Sequence, residues 1–139
     1  MQYEEFIGEV QHRAQLDSRE AALGATRATL ETLSERIQPG EAENLGAQLP
    51  EELGRHLEKV DEVESFEFQE FVRRTAERDR IGGGEHEDVA YRAMVVMEVV
   101  DEAVTGGALD DIEEQLPDDY DDLFELQEAE ATAGPDSEA

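Results

Sequence analysis

The sequence predicts an all-α fold: a single domain built from two tandem copies of a four-helix unit with pseudo-twofold symmetry, followed by a disordered acidic C-terminal tail. Three observations lead there. No segment alternates apolar and polar residues long enough to make a strand, whereas apolar residues recur at helical spacing along most of the chain. The run YEEFIGEVQHRAQL from Tyr3 aligns with FQEFVRRTAERDRI from Phe68 at an offset of 65; beyond two extra residues at Gly82-Gly83-Gly84, GEAENLGAQLPEELGRHL from Gly40 aligns with GALDDIEEQLPDDYDDLF from Gly107 at an offset of 67. The connection near Asp61 to Glu67 is short and keeps Val63 and Phe66, and a unit of about sixty residues folds alone only marginally, so the copies are expected to share one core. The expected organisation is one helical domain over 1–126, with repeat units at about 2–60 and 67–126, and a disordered tail over 127–139.

The aligned identities are Glu5/Glu70, Phe6/Phe71, Arg13/Arg78, Glu20/Glu87, Glu31/Glu98, Glu35/Glu102, Gly40/Gly107 and the triplet Gln48-Leu49-Pro50/Gln115-Leu116-Pro117. In so acidic a chain glutamate matches arise by coincidence. The apolar matches therefore carry more of the argument: Ile7/Val72, Leu16/Ile81, Leu30/Met97, Leu33/Val100, Ile37/Val104, Leu45/Ile112, Leu53/Tyr120 and Leu57/Phe124.

The first predicted helix, roughly Gln2 to Gln15, puts Phe6, Val10 and Ala14 on one face. The second begins at Asp17, which forms an Asp-x-x-Glu capping box with Glu20, and carries Ala22, Ala25, Thr29, Leu33 and Ile37 inward. Pro39-Gly40 breaks the chain. A short third helix holds Ala42, Leu45 and Leu49; Pro50 then opens a fourth, with Glu51 and Glu52 at its positive end, running through Leu53, Leu57 and Val60. In the second unit Phe68, Phe71, Val72 and Thr75 line the first helix. From Val89 to Val104, VAYRAMVVMEVVDEAV is apolar on nearly every side, which marks it as the central helix of the domain. Gly106-Gly107 stops it, Leu109, Ile112 and Leu116 make the next helix, and Tyr120, Leu123 and Phe124 the last. The repeated Gln-Leu-Pro reads as a folding element, with Gln48 and Gln115 bonding backbone groups freed at the helix junction.

Charge bounds the function. The 139 residues hold 38 Asp and Glu against 11 Lys and Arg, a formal charge of −27, and Lys59 is the single lysine. Such a surface argues against gripping nucleic-acid phosphates or an anionic membrane. Acid spread over a patterned core with lysine almost absent fits a cytosolic protein in molar salt, where the Debye length falls to about 3 Å and like charges barely repel. A halophilic source is expected. Without cysteine there are no disulfides, thiol nucleophiles or Cys-ligated metals. The start MQYEEF has neither a basic nor an apolar leader region, so a soluble cytoplasmic chain is expected.

No catalytic, cofactor-binding or metal-ligating set emerges. Glu9 and His12 have the Glu-x-x-His spacing of di-iron bundles, but the aligned positions are Arg74 and Glu77, so His12 reads as a surface residue. His56 and His86 have no partner pattern. Gly82-Gly83-Gly84 lacks the strand and the Lys-Ser/Thr of a phosphate loop, and Asp118 to Asp122 lacks calcium-loop spacing. The one departure from the acidic trend is Arg73, Arg74, Arg78 and Arg80, four cations within eight positions. Two readings stand. In one, Glu70 pairs with Arg73 and Arg74 at i+3 and i+4 while the Arg stems cover apolar surface; in the other, the four form a contact face for an anion or an acidic partner.

These residues carry a resemblance. Tyr3-Glu4-Glu5-Phe6, Thr29-Leu30-Glu31-Thr32-Leu33-Ser34-Glu35-Arg36, Gly40-Glu41-Ala42, Gln48-Leu49-Pro50-Glu51-Glu52-Leu53 and the echo Gln115-Leu116-Pro117-Asp118-Asp119-Tyr120 resemble the domain-of-unknown-function family 2267 over about Gln2 to Leu126. The resemblance implies a duplicated all-helical domain with members in haloarchaea and bacteria, and no established activity or catalytic residue. Three function classes follow: a non-enzymatic protein-interaction or stress-associated protein, which leads; an acidic nucleic-acid mimic or ribosome-associated factor; and a small-ligand or metal-binding helical domain. A protein partner is allowed, direct nucleic-acid binding and membrane association are not expected, and the chain is read as a monomer or homodimer.

Overall fold

The computed structural model describes residues 1–58, 63–79, 86–105 and 107–124, with the backbone alone at 86 and 87, and among these the chain is helical and contains no strand. Val60, Arg80, the Gly82-Gly83-Gly84 loop, Gly106 and the 127–139 tail lie outside the described residues.

Helix α1 (Tyr3–Arg13) buries Phe6, Ile7 and Val10 and carries Glu4 and Glu5 at its positive end, His12 and Arg13 at its negative end. It ends in a left-handed turn. Gln15 has φ 55°, its amide donates to the His12 carbonyl at 3.2 Å, and the Leu16 amide donates to the Gln11 carbonyl at 2.9 Å. This is a Schellman ending with glutamine where glycine is usual. Helix α2 (Arg19–Arg36) is capped one residue later than the capping-box pattern predicts: Ser18, in extended backbone, accepts from the Ala21 amide at 3.0 Å.

The apolar face expected of α2 is buried, but so is most of the rest of the helix, including Ala21, Gly24, Thr26, Ala28, Leu30, Thr32 and Ser34. The core thus has two central helices where the sequence singled out one. Burial of the hydroxyls is tolerable because each donates within its own helix: Thr26, Thr29 and Thr32 to the carbonyls of Ala22, Ala25 and Ala28 at 2.8–2.9 Å, and Ser34 to Glu31 at 2.7 Å.

Pro39 is the first residue of α3 (Pro39–Gln48), which buries Ala42 and Leu45, with Leu49 inward at its C-cap. The expected fourth helix is shorter: α4 (Glu51–Gly54) tightens into a 3-10 turn, Arg55–Leu57, that buries His56 and Leu57. Here α3 and α4 touch through backbone, for a Cβ built on Gly54 would collide with the Gly46 carbonyl.

Helix α5 (Phe68–Arg78) buries Phe71, Val72 and Thr75, and Asp119 accepts from its first amide, that of Phe68, at 2.8 Å. Helix α6 (His86–Ala103) buries Val89, Ala93, Val95, Val96, Met97, Val99 and Val100. Gly107, at φ 74°, opens α7 (Ala108–Gln115). The last expected helix is a 3-10 segment, Asp118–Phe124, that buries Tyr120, Leu123 and Phe124; Tyr120 meets the Phe68 and Phe71 rings edge-on at 5.5 and 5.8 Å.

Helices α1 and α5 each pack on both α2 and α6, which pack on each other, and one apolar cluster holds residues from Phe6 through Phe124. Segment lengths recur in order: α1 and α5 are 11 residues each, α2 and α6 are 18 each. Among the described residues no helix is long and apolar enough to cross a membrane.

Two glycines separate close approach from mere helix cost. Gly8 is helical and a Cβ there meets nothing within 4 Å, so Gly8→Ala should raise stability by about 1 kcal/mol. Gly54→Ala should lower it by about 1–3 kcal/mol, because α3 and α4 must separate to admit the methyl. Denaturant melts of both variants beside wild type check the opposite signs.

Candidate functional site

The arginine run divides by helix geometry. Arg74 and Arg78, one turn apart on α5, lie on the side turned to α2, whereas Arg73 is exposed. Arg78 donates to both oxygens of Glu35 at 2.6 and 3.0 Å and to the Thr32 hydroxyl at 2.8 Å, and lies 3.9 Å from Glu31. Arg74 donates to Glu70 at 2.8 Å, Glu35 at 3.1 Å and Glu64 at 3.1 Å, and stacks over the Phe66 ring at 4.0 Å. Arg73 pairs with Glu70 and Glu77 at 2.6–2.7 Å. The Glu70 pairings are those that helical spacing predicts. Arg80 lies outside the described residues. The groups line an open depression of about 310 Å³ bounded by Glu35, Glu64, Arg73, Arg74, Glu77 and Arg78.

A second cluster was not visible as a site. Arg13, at the end of α1, donates to both oxygens of Glu102 at 2.6 and 2.8 Å, to Glu98 at 3.1 Å and to its own-helix Glu9 at 3.0 Å. Glu98 and Glu102 lie one turn apart on α6, as Glu31 and Glu35 do on α2. The signal was present in the aligned identities Arg13/Arg78, Glu31/Glu98 and Glu35/Glu102, which in an acidic chain pass for coincidence. The contacts are crossed: the first helix of each half clamps the second helix of the other half. The bidentate geometry is the strong form of a carboxylate–guanidinium contact.

Further polar contacts fasten the elements, some across the halves and some within one. Gln48 does not bond its own junction; its Oε1 accepts from the Thr105 amide, past the end of α6, at 2.8 Å. The Phe66 carbonyl accepts from Arg36 at 2.8 Å and from the Tyr120 hydroxyl at 2.7 Å. Asp79, buried at the end of α5, meets Arg92 of α6 at 3.3 Å. His56 Nδ1 sits 3.4 Å from Glu31. His12 is exposed, and Glu9 bonds Arg13. No group of three or more His, Asp or Glu among the described residues could hold a metal ion.

The clamps reshape proton affinity. Hydrogen bonding from Arg78, opposed by burial and reinforced by its charge and by Arg74, holds the Glu35 carboxyl below its ordinary 4.5; Arg13 does the same to Glu102. Arg73, then Arg74, draw Glu70 down to about 2. Burial pushes the Tyr120 hydroxyl up to about 12.

A carboxyl whose folded pKa lies below its unfolded value contributes its stabilisation fully above that unfolded value and loses it as pH falls through the folded one. The clamps should therefore hold their full contribution above pH 4.5 and surrender it below. Arg78→Gln should cost about 2 kcal/mol at neutral pH, since it strips charged hydrogen bonds from a largely shielded carboxylate, while Arg73→Gln, on the open face, should change little. Melting temperatures of wild type and of Arg13→Gln/Arg78→Gln, followed from neutral pH into acid, check this: the double variant should show a shallower fall below pH 4.5.

No curated protein is significantly similar to the chain. The profile of a family described as "Uncharacterized conserved protein (DUF2267)" matches residues 3–123, from the start of α1 to the last 3-10 segment. With helices α1 to α7 and both clamps inside the match, the chain belongs to this uncharacterised family.

Proposed function

We propose that the protein is a non-enzymatic, cytoplasmic protein-interaction or stress-associated domain of haloarchaeal type, adapted to molar salt. The observation that carries this reading is where the cations go. Arg13, Arg74, Arg78 and Arg92 each bind a carboxylate on another helix or connecting segment, and Arg19 and Arg73 bind surface glutamates. Charge is thus used to fasten elements together, while a formal −27 is left to be screened. Of the large apolar side chains described, Met1 and Tyr91 are the exposed ones, so a partner would be met by polar complementarity.

The same reading takes the chain as one domain made of two copies of a four-helix unit about a pseudo-twofold axis. What supports it is the recurrence of segment lengths in order and the pairing of Arg13 and Arg78 with equivalent glutamates on opposite halves.

Two experiments test this reading. Circular dichroism and thermal melting across a salt series should show helicity and melting temperature rising from millimolar to molar salt, and co-purification from native cells at native salt should recover a protein partner; full helicity with an unchanged melt at low salt sinks the adaptation. A permuted chain with the halves in reversed order, 63–124 joined by a short linker to 2–58, should keep the helicity and melt within a few degrees of wild type. A permutant that fails to fold sinks the duplication.

A further inference from the structure

We infer that His56 and Glu31 form a proton-operated latch, closed when the imidazole is charged and loosened when it is neutral, that fastens the corner after α4 onto α2. His56 sits in the 3-10 turn that ends this corner and is 8% exposed. Its Nδ1 faces Glu31 Oε2 at 3.4 Å, and the other oxygen of that carboxylate, Oε1, lies 3.9 Å from the Arg78 guanidinium. One carboxylate thus stands between two basic groups of different kinds. Arginine keeps its charge throughout, whereas imidazole changes charge between about pH 5 and 8. Packing does not demand a histidine here. At the offset that sets Gly40 against Gly107, His56 aligns with Leu123, an ordinary buried apolar residue. The contact with Glu31 stands whether or not the two halves are copies.

Burial opposes the charged imidazole. Against it stand Glu31 in contact, Glu35 one turn further along α2, and the acids of the other helices packed on the turn: half-buried Glu41 and exposed Glu43 on α3, exposed Glu51 and Glu52 on α4. The cations nearby are Arg78, already held by Glu35 at 2.6 Å, exposed Arg27 of α2 and exposed Arg55 of the turn itself; Lys59 lies outside the described residues. His56 also occupies the last turn of its helical run, where the free carbonyls favour a cation. Acid predominates, so the folded protein holds the His56 proton more tightly than the unfolded chain does. A group of this kind contributes its stabilisation fully below its unfolded value, about 6.5 for imidazole, and loses it as pH rises through the folded one. The arginine clamps yield below pH 4.5, so the latch works in a separate window.

The experiment titrates the full chain at molar salt from about pH 5.5 to about 9, following the His56 ring protons by NMR in wild type and in Glu31→Gln and assigning them by their loss in His56→Leu. The wild-type midpoint should lie about one pH unit or more above imidazole's ordinary 6.5, a tenfold or greater gain in proton affinity, and Glu31→Gln should remove most of that gain. Across the same range wild type should lose about 3 °C or more of melting temperature relative to His56→Leu; the other histidines are common to both chains and cancel. The Gly54 and Glu58 amides donate to the Pro50 and Arg55 carbonyls at 2.9 and 3.3 Å. Their exchange protection, corrected for the intrinsic effect of pH, should fall through the His56 midpoint. The inference is overturned if the wild-type midpoint lies at or below about 6.5, if Glu31→Gln leaves it in place, or if these amides are equally protected on both sides of it. The first and last of these are read on wild type, so a variant that fails to fold still leaves the latch open to refutation.

Discussion

Two helices of 18 residues, α2 and α6, run side by side through one core and are dry around most of their circumference, and that constraint decides where bulk, hydroxyls and charge can go. Bulk is rationed between them. Helix α6 buries valines and Met97, while α2 buries small residues, Ala, Gly and Thr, beside Leu30 and Leu33. Hydroxyls on α2 turn back onto their own carbonyls. Among the charges on these helices, Glu31 and Glu35 of α2 and Glu98 and Glu102 of α6 meet arginines from neighbouring helices, Arg78 and Arg13. These carboxylates are half-buried to exposed, and the arginines that end α1 and α5 neutralise them where the helices cross.

Helix positions were legible because apolar periodicity reports burial directly: Phe6, Val10, Phe71, Val72, Leu109 and Ile112 are all inside. What periodicity could not report is burial of residues that are not apolar. Thr26, Thr32 and Ser34 look like a solvated face of α2 until their hydroxyls are given local acceptors. The cap at Ser18 in place of Asp17 was a choice between adjacent residues with equal capping power, settled by backbone geometry. The 3-10 endings after Gly54 and Pro117 depend on packing against other elements, which no local pattern encodes.

The candidate site was half legible for a similar reason. Arg73, Arg74 and Arg78 stand out as a run, and their pairing with Glu70 follows from helical spacing alone. Arg13 stands by itself in the sequence, and beyond own-helix Glu9 its partners are 85 and 89 residues away; nothing but the internal alignment links them. Two electrostatic roles thus coexist in one composition. A great excess of acid governs how the molecule meets solvent, while a few guanidiniums govern how it meets itself.

The carbonyl of Phe66 receives one hydrogen from Arg36 of the first half and another from Tyr120 of the second. Near the midpoint of the chain, where a linker and hence an easy proteolytic target would be looked for, a backbone oxygen that a protease must engage is already committed on both sides. Local fraying cannot release it, because either donor holds it while the other is lost. Cleavage at that bond would therefore track the population of globally opened chains, and a nick there would report loss of the whole bundle and not wear at a seam.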